Sequence, residues 1–182
     1  MLLYYLNLNH PYQKIIRKYL EFFTECKITN KQKGIDGCSA PQYAFPLKNL
    51  SISMINLIKH YKETKDCSNE VSLLLNKIAK YPHITGSKIK YDSQLMMITK
   101  GKMFSKWGAE GVLLFAHKEK KIGGVIKIKD GNERALPSVA NEIFMKLSLI
   151  NKNELQKLSG WSNQIIKNHA NKKIGKIYTT LD

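Results

Sequence analysis

The sequence lacks the features of an exported or membrane-spanning chain. No apolar run approaches the ~18–20 residues that a membrane helix needs. The opening MLLYYL has no basic segment and leads into Asn7 and Pro11 rather than a small-residue cleavage site, so we expect no signal peptide. The three cysteines, Cys26, Cys38 and Cys67, form no C-x-x-C pair and no even disulfide set. We therefore expect a soluble protein with free thiols and place it in the cytoplasm.

Arginine and acidic residues are also scarce. The chain has 30 Lys and Arg against 14 Asp and Glu, a net charge of +16, yet only Arg17 and Arg134 are arginine. Clustered cations are typical of nucleic-acid binders, but arginine is the side chain that reads guanine edges and clamps phosphates. The lysines are scattered from Lys14 to Lys176. We expect no nucleic-acid partner, and keep a lysine-rich module that binds nucleic acid or an acidic partner as the alternative.

Length and composition indicate one domain over residues 1–182. With 43% hydrophobic and 24% charged residues, the chain has the composition of a globular protein and excludes a disordered one. A chain of 182 residues suits a single hydrophobic core.

The apolar periodicity predicts helices first and strands later. The predicted helices are 12–25, 50–61, 70–80 and 134–149, and the predicted strands are 95–99, 112–117, 122–129 and 175–179. Residues 118–121 join two of the strands as a hairpin. We therefore predict an α+β fold, with helices followed by an antiparallel sheet and one covering helix.

Two glycine-rich segments contain the residues most suited to chemistry. In GIDGCSAP, residues 34–41, Cys38 has the thiolate of a metal ligand and Asp36 a carboxylate that suits an ammonium group. The alternative is a small buried thiol and a turn carboxylate. In FSKWGAEG, residues 104–111, Lys106 precedes two glycines on a strand or turn, where a desolvated amine would act as a general base. The alternative is an ordinary surface lysine.

Four ordered motifs resemble the Rhizobium-like type II L-asparaginase family. They are GIDGCSAP (34–41), YAFPLKNL (43–50), SKWGAEGV (105–112) and KIKDGNERA (127–135). The likeness extends from residue 5 to residue 178. It implies a fold similar to that of serine β-lactamases and glutaminases, and hydrolysis of the side-chain amide of asparagine through an acyl-serine intermediate.

The resemblance also implies residue roles. Lys106 matches the lysine that activates a serine in the family's S-K-x-G-A-E-G motif. Cys38 matches the second cysteine of a zinc site made of two cysteines and a lysine. Asp36 matches an aspartate that holds the α-amino group of the substrate.

The chain departs from the family in length. Family members are about twice as long, and their first half carries the S-x-x-K nucleophile and the C-S-G-K-H segment with the other two zinc ligands. We therefore expect a C-terminal half that is inactive alone and binds L-asparagine only if a separately encoded N-terminal half complements it. Zinc is expected only with that half, and a functionless remnant is the further alternative.

Overall fold

The protein is described by a computed structural model that covers residues 2–63, 67–162 and 164–181. The α-helices of these residues are α1 (Pro11–Thr24), α2 (Leu47–Lys59), α3 (Ser68–Lys80), α4 (Tyr91–Ile98), α5 (Leu136–Lys146) and α6 (Lys152–Lys157). The strands are β1 (Lys33–Ile35), β2 (Pro41–Tyr43), β3 (Met103–Gly108), β4 (Val112–His117), β5 (Ile122–Lys127), β6 (Ile165–Lys167) and β7 (Lys173–Lys176). The predicted α+β class is confirmed. The likeness to the β-lactamase fold stays a prediction.

The first helix shows why the early helices could be predicted. Pro11 begins α1, where its missing N–H leaves no intrahelical hydrogen bond unmade. The His10 ring caps the helix by accepting a hydrogen bond from the backbone N–H of Tyr12 at 3.1 Å. The helix ends at Thr24, and Glu25 follows it as the C-terminal cap in a left-handed conformation. The helices α1, α2, α3 and α5 all lie close to their predicted bounds.

The main sheet is antiparallel and has the strand order β3-β4-β5. It contains the predicted strands 112–117 and 122–129, joined by the predicted turn at 118–121. The third strand, β3, contains Lys106, for which the sequence analysis allowed either a strand or a turn. Within the described residues β5 is an edge strand, because it hydrogen-bonds only to β4.

Two consecutive glycines let other groups approach both faces of β5. A Cβ atom at Gly123 would lie 2.8 Å from the backbone nitrogen of Ile55 in α2. A Cβ atom at Gly124 would lie 2.5 Å from the ring of Phe115. Any larger residue would push α2 or this ring away from the strand.

The prediction of a strand at residues 95–99 is wrong. Residues 95–98 end α4, and Thr99 is its C-terminal cap. Tyr91, Asp92 and Leu95 are all at most 1% exposed, so the helix is buried on several sides and shows no clear amphipathic pattern. A short apolar run shows the same pattern in a buried helix and in a buried strand, and periodicity cannot separate the two.

The two faces of the sheet are covered to different extents. On one face Met103 and Phe115 belong to a large buried cluster with α4 and α5. On the other face α2 buries Ala116 but leaves Phe104 and Leu114 only half-buried. The sheet therefore has a closed face and an open face.

The other four strands form two small hairpins outside the main sheet. β1 pairs with β2, and β6 pairs with β7, each pair antiparallel. The strand predicted at 175–179 overlaps the observed β7, Lys173–Lys176, only at residues 175 and 176, and residues 177–179 lie outside any strand. None of the helices in the described parts of the chain has the length and apolar character needed to cross a bilayer.

Candidate functional site

The glycine-rich segment 34–41 forms most of the β1-β2 hairpin. Its tip is closed by two backbone hydrogen bonds, from Asp36 N–H to the Ala40 carbonyl at 2.9 Å and from Ser39 N–H to the Asp36 carbonyl at 2.8 Å. Ser39 has a φ of 67°, which the tight tip requires. The predicted structured loop is thus the end of a hairpin, and both of its candidate residues lie there.

Asp36 and Cys38 contact each other at this tip. The Cys38 thiol donates a hydrogen bond to Asp36 Oδ2 at 3.5 Å, and the Gln42 side-chain amide donates to the same oxygen at 3.4 Å. The backbone N–H of Gly37, followed by these two donors, holds the pKa of Asp36 below its usual value. The carboxylate is exposed and ionised at neutral pH, so it can accept a cationic group.

Cys38 is an exposed free thiol. Among the residues that the structure describes, no three or more His, Cys, Asp or Glu side chains cluster as a metal site would require. A structural zinc site has about four ligands. The described residues therefore do not form a zinc site around Cys38 by themselves, and its role as a ligand stays a prediction.

Lys106 lies on the open face of the sheet. β3 alternates, so that Ser105 and Trp107 point towards the core cluster and Lys106 points to the opposite side. Lys106 pairs with Leu114 across the sheet and is exposed. Its Nζ donates a hydrogen bond to the Trp107 carbonyl at 2.5 Å. A lysine in this position is available to a partner on the open face.

An apolar groove of about 510 Å³ borders this face. It lies between α1, α2 and Leu114 of β4, and its lining includes the partly exposed side chains of Tyr12, Ile15 and Tyr19. Because Leu114 is also the cross-strand neighbour of Lys106, the groove and the amine share one face of the sheet.

The structure shows one positioning residue that the sequence analysis missed. Asp92 of α4 is fully buried, and its Oδ2 accepts a hydrogen bond from the backbone N–H of Trp107 at 2.9 Å. Its Oδ1 accepts from the backbone N–H of Ser93 at 2.9 Å. This carboxylate fixes β3 next to Lys106. The misassigned strand at 95–99 hid it, because the helix that carries Asp92 was not predicted.

The three predicted site residues fall into two groups. Asp36 and Cys38 lie together at the hairpin tip, and Lys106 lies on β3. In the described part of the chain no hydrogen bond or ion pair joins Lys106 to either of the other two.

The expectation that S-x-x-K spacing occurs only in the family's first half is wrong, because this chain contains one serine and lysine at that spacing. Ser87 and Lys90 lie in the turn before α4, where the backbone N–H of Lys90 donates to the Ser87 carbonyl at 3.2 Å. Among the described contacts there is none between the hydroxyl and the amine. The pair thus lacks the hydrogen bond through which a lysine activates a serine.

Comparison with known families gives one match. The family model described as L-asparaginase II matches residues 2–179, which is nearly the whole chain. A comparison with curated proteins gives no match.

Proposed function

Because the chain belongs to the L-asparaginase II family, we propose that it supplies part of an asparaginase-type active site. The reaction is hydrolysis of the side-chain amide of L-asparagine to L-aspartate and ammonia. In this proposal residues 1–182 are one incomplete domain, and the attacking serine belongs to a separately encoded N-terminal half. The main support for the proposal is the position of Lys106, whose amine is exposed on the open face of a sheet that packs against the core on its other face.

Lys106 acts as the general base towards that serine. Its neutral amine takes the hydroxyl proton as the serine oxygen attacks the amide carbon. The resulting ammonium gives this proton to the amide nitrogen, the C–N bond breaks, and ammonia leaves. Water then hydrolyses the acyl-serine ester and releases aspartate.

Asp36 holds the α-ammonium group of the substrate. Its carboxylate is ionised and exposed, and its present partners are uncharged donors, so an ammonium ion would be a stronger partner than any of them. The chain has a net charge of +16, which repels a positively charged group. A local carboxylate such as that of Asp36 is therefore needed to bind the amino end of asparagine.

Cys38 serves as one ligand of a zinc ion whose other ligands belong to the N-terminal half. A zinc ion bound there would hold the hairpin tip against that half, as structural zinc does in other folds. The thiol is exposed and close to Asp36, so such a site would also fix the position of the carboxylate.

The experiment is complementation. The chain is purified alone and together with an N-terminal half that carries the family's S-x-x-K serine, and ammonia release from L-asparagine is measured. We expect no ammonia from either half alone and release from the pair. Lys106→Ala should lower the rate of the pair by at least about 10²-fold, the usual contribution of a general base.

Two matched variants serve as controls. Lys129→Ala removes another exposed lysine of similar charge, and Ser87→Ala removes the only serine of this chain at S-x-x-K spacing. Both should leave the rate of the pair unchanged. Ammonia release by the chain alone that depends on Ser87 would contradict the proposal, and no release from any pair would leave a functionless remnant.

A further inference from the structure

A second cavity lies away from the three residues discussed above. It has a volume of about 430 Å³ and is formed by α5, α6, the segment after α6 and Thr179. This volume is in the lower part of the range of small-molecule sites. Asp36, Cys38 and Lys106 are not among the residues that line it.

Two helices present their polar sides to this cavity. Ser138, Asn141 and Glu142 of α5 are spaced three and four residues apart, so they share one face of the helix. Lys152 begins α6, and Leu155 follows three residues later on the same side. Among the described residues of the lining, Leu155 is the one large aliphatic side chain, and the others carry hydroxyl, amide or charged groups.

Two hydroxyl groups in the cavity are buried and have no partner. Ser138 is 5% exposed, and its Oγ forms no hydrogen bond within the described structure. The Oγ1 of Thr179 is likewise buried and unpartnered in the part of the chain that is described. A buried polar group without a partner is rare in folded proteins. Two of them that line one cavity indicate a ligand that accepts and donates hydrogen bonds.

A third hydroxyl is oriented by a buried chain of hydrogen bonds. The Tyr91 hydroxyl donates to Asn141 Oδ1 at 2.7 Å, and Asn141 Nδ2 donates to Ser162 Oγ at 2.6 Å. Burial raises the pKa of Tyr91 far above its usual value, so this tyrosine remains a donor. Since Ser162 Oγ already accepts from Asn141, its own proton is free to be donated into the cavity.

The cavity also carries one charge of each sign. Glu142 and Lys152 both line it and are both exposed, yet they form no ion pair with each other in the described structure. Opposite charges that line one cavity without pairing can each bind an opposite charge of a ligand. The hydroxyl groups of the lining can donate hydrogen bonds to the same anionic group that the Lys152 ammonium binds.

We propose that this cavity binds a free α-amino acid with a small polar side chain, as a zwitterion. The α-carboxylate accepts from Lys152 and from the hydroxyl of Ser138, and the α-ammonium group donates to Glu142. Ser162, Thr179 and Asn141 surround the polar side chain. This inference does not depend on the asparaginase proposal, because it uses none of the residues of that site.

The test is calorimetric titration of the full chain with L-serine, which has no side-chain amide to hydrolyse. We expect saturable binding of one L-serine per chain. Acetate and methylammonium each carry only one of the two charges, so each should bind at least about tenfold more weakly. Glu142→Gln should weaken L-serine binding about tenfold, since it removes the ionic partner of the ammonium group.

Ser138→Ala separates binding from folding. It removes a buried hydroxyl that has no partner, so the melting temperature should stay the same or rise while L-serine binding weakens. Lys157→Gln is the matched control for Lys152→Gln, because Lys157 lies on the same helix but does not line this cavity. Lys152→Gln should weaken binding and Lys157→Gln should not.

Three outcomes would overturn the proposal. The first is no saturable binding of L-serine. The second is binding of glycerol as tight as that of L-serine and insensitive to Glu142→Gln, which would indicate a polyol site. The third is loss of L-serine binding in Asp36→Ala, which would place the amino acid at the hairpin tip. Retention of binding in that variant supports the proposal.

Discussion

The two faces of the central sheet differ in what they contribute. The closed face packs against α4 and α5, and there Phe115 and Phe144 meet edge to face with ring centroids 4.8 Å apart. The open face carries Phe104 and Leu114 half-buried beside the exposed Lys106. Adjacent residues of one strand thus lie on opposite faces of the sheet and have different roles. The closed face holds the fold together, and the open face presents Lys106, the residue that we propose as the general base.

The largest effect expected from this difference is on stability. Phe144→Ala should lower the free energy of unfolding by about 3–5 kcal/mol, because Phe144 is fully buried and its loss leaves a cavity. Ile15→Ala, in the apolar groove, should lower it by less than about 1 kcal/mol, since Ile15 is 52% exposed. Urea unfolding of both variants measures the two values. Equal losses would show that the two sides of the sheet are equally packed.

An intermediate effect on the free energy of unfolding is expected from loss of the ion pair between Lys102 and Glu154. Burial alone would raise the pKa of Glu154, but hydrogen bonds from Lys102, at 2.8 Å, and from the backbone N–H of Asn151 outweigh it and lower the pKa. A lowered carboxyl pKa stabilises the fold above the pKa of the unfolded chain, and this contribution is lost as the pH falls through the folded value.

The test of this pair is acid unfolding of the wild type and of Glu154→Gln. At pH 7 the variant should be less stable by about 1–3 kcal/mol, since Lys102 loses its charged partner. The difference between the two proteins should shrink as the pH falls below about 4.3, the ordinary pKa of glutamate. A difference that stays constant down to pH 2 would contradict the assignment.

The smallest effect on stability is expected on the open face. Lys106→Ala should change the free energy of unfolding by no more than about 0.5 kcal/mol. The side chain is exposed and, among the described residues, its one hydrogen bond goes to the carbonyl of its neighbour Trp107. Denaturant unfolding of this variant beside Lys129→Ala checks the value. A loss as large as that of Phe144→Ala would mean that Lys106 has a structural role.

The sequence predicts the fold well where apolar and polar residues recur in a regular pattern, so that an element has a buried side and an exposed side. The helix α1 has an apolar and a polar side, and the turn at 118–121 separates an apolar strand from an alternating one, so both are predicted close to their bounds. The pattern fails at α4, which is buried on several sides. There the sequence could not distinguish helix from strand, and it could not show that Asp92 binds the backbone of β3.

The candidate site is predictable in part for a similar reason. Residues 34–41 are close in sequence, so the contact between Asp36 and Cys38 follows from one tight hairpin. The cavity that Ser138 and Thr179 share is not predictable, because it depends on residues about 40 positions apart whose polar character is ordinary for a protein surface.

The reactivity of Lys106 with an acetylating reagent, measured by mass spectrometry, tests directly whether a second polypeptide covers the open face. The chain is labelled alone and in the complemented pair that releases ammonia, with Lys129 as the internal reference. We expect Lys106 to react as readily as Lys129 in the isolated chain and to be protected in the pair, while the labelling of Lys129 is unchanged. Equal labelling of Lys106 in both states would contradict the claim that a second polypeptide completes the site on the open face.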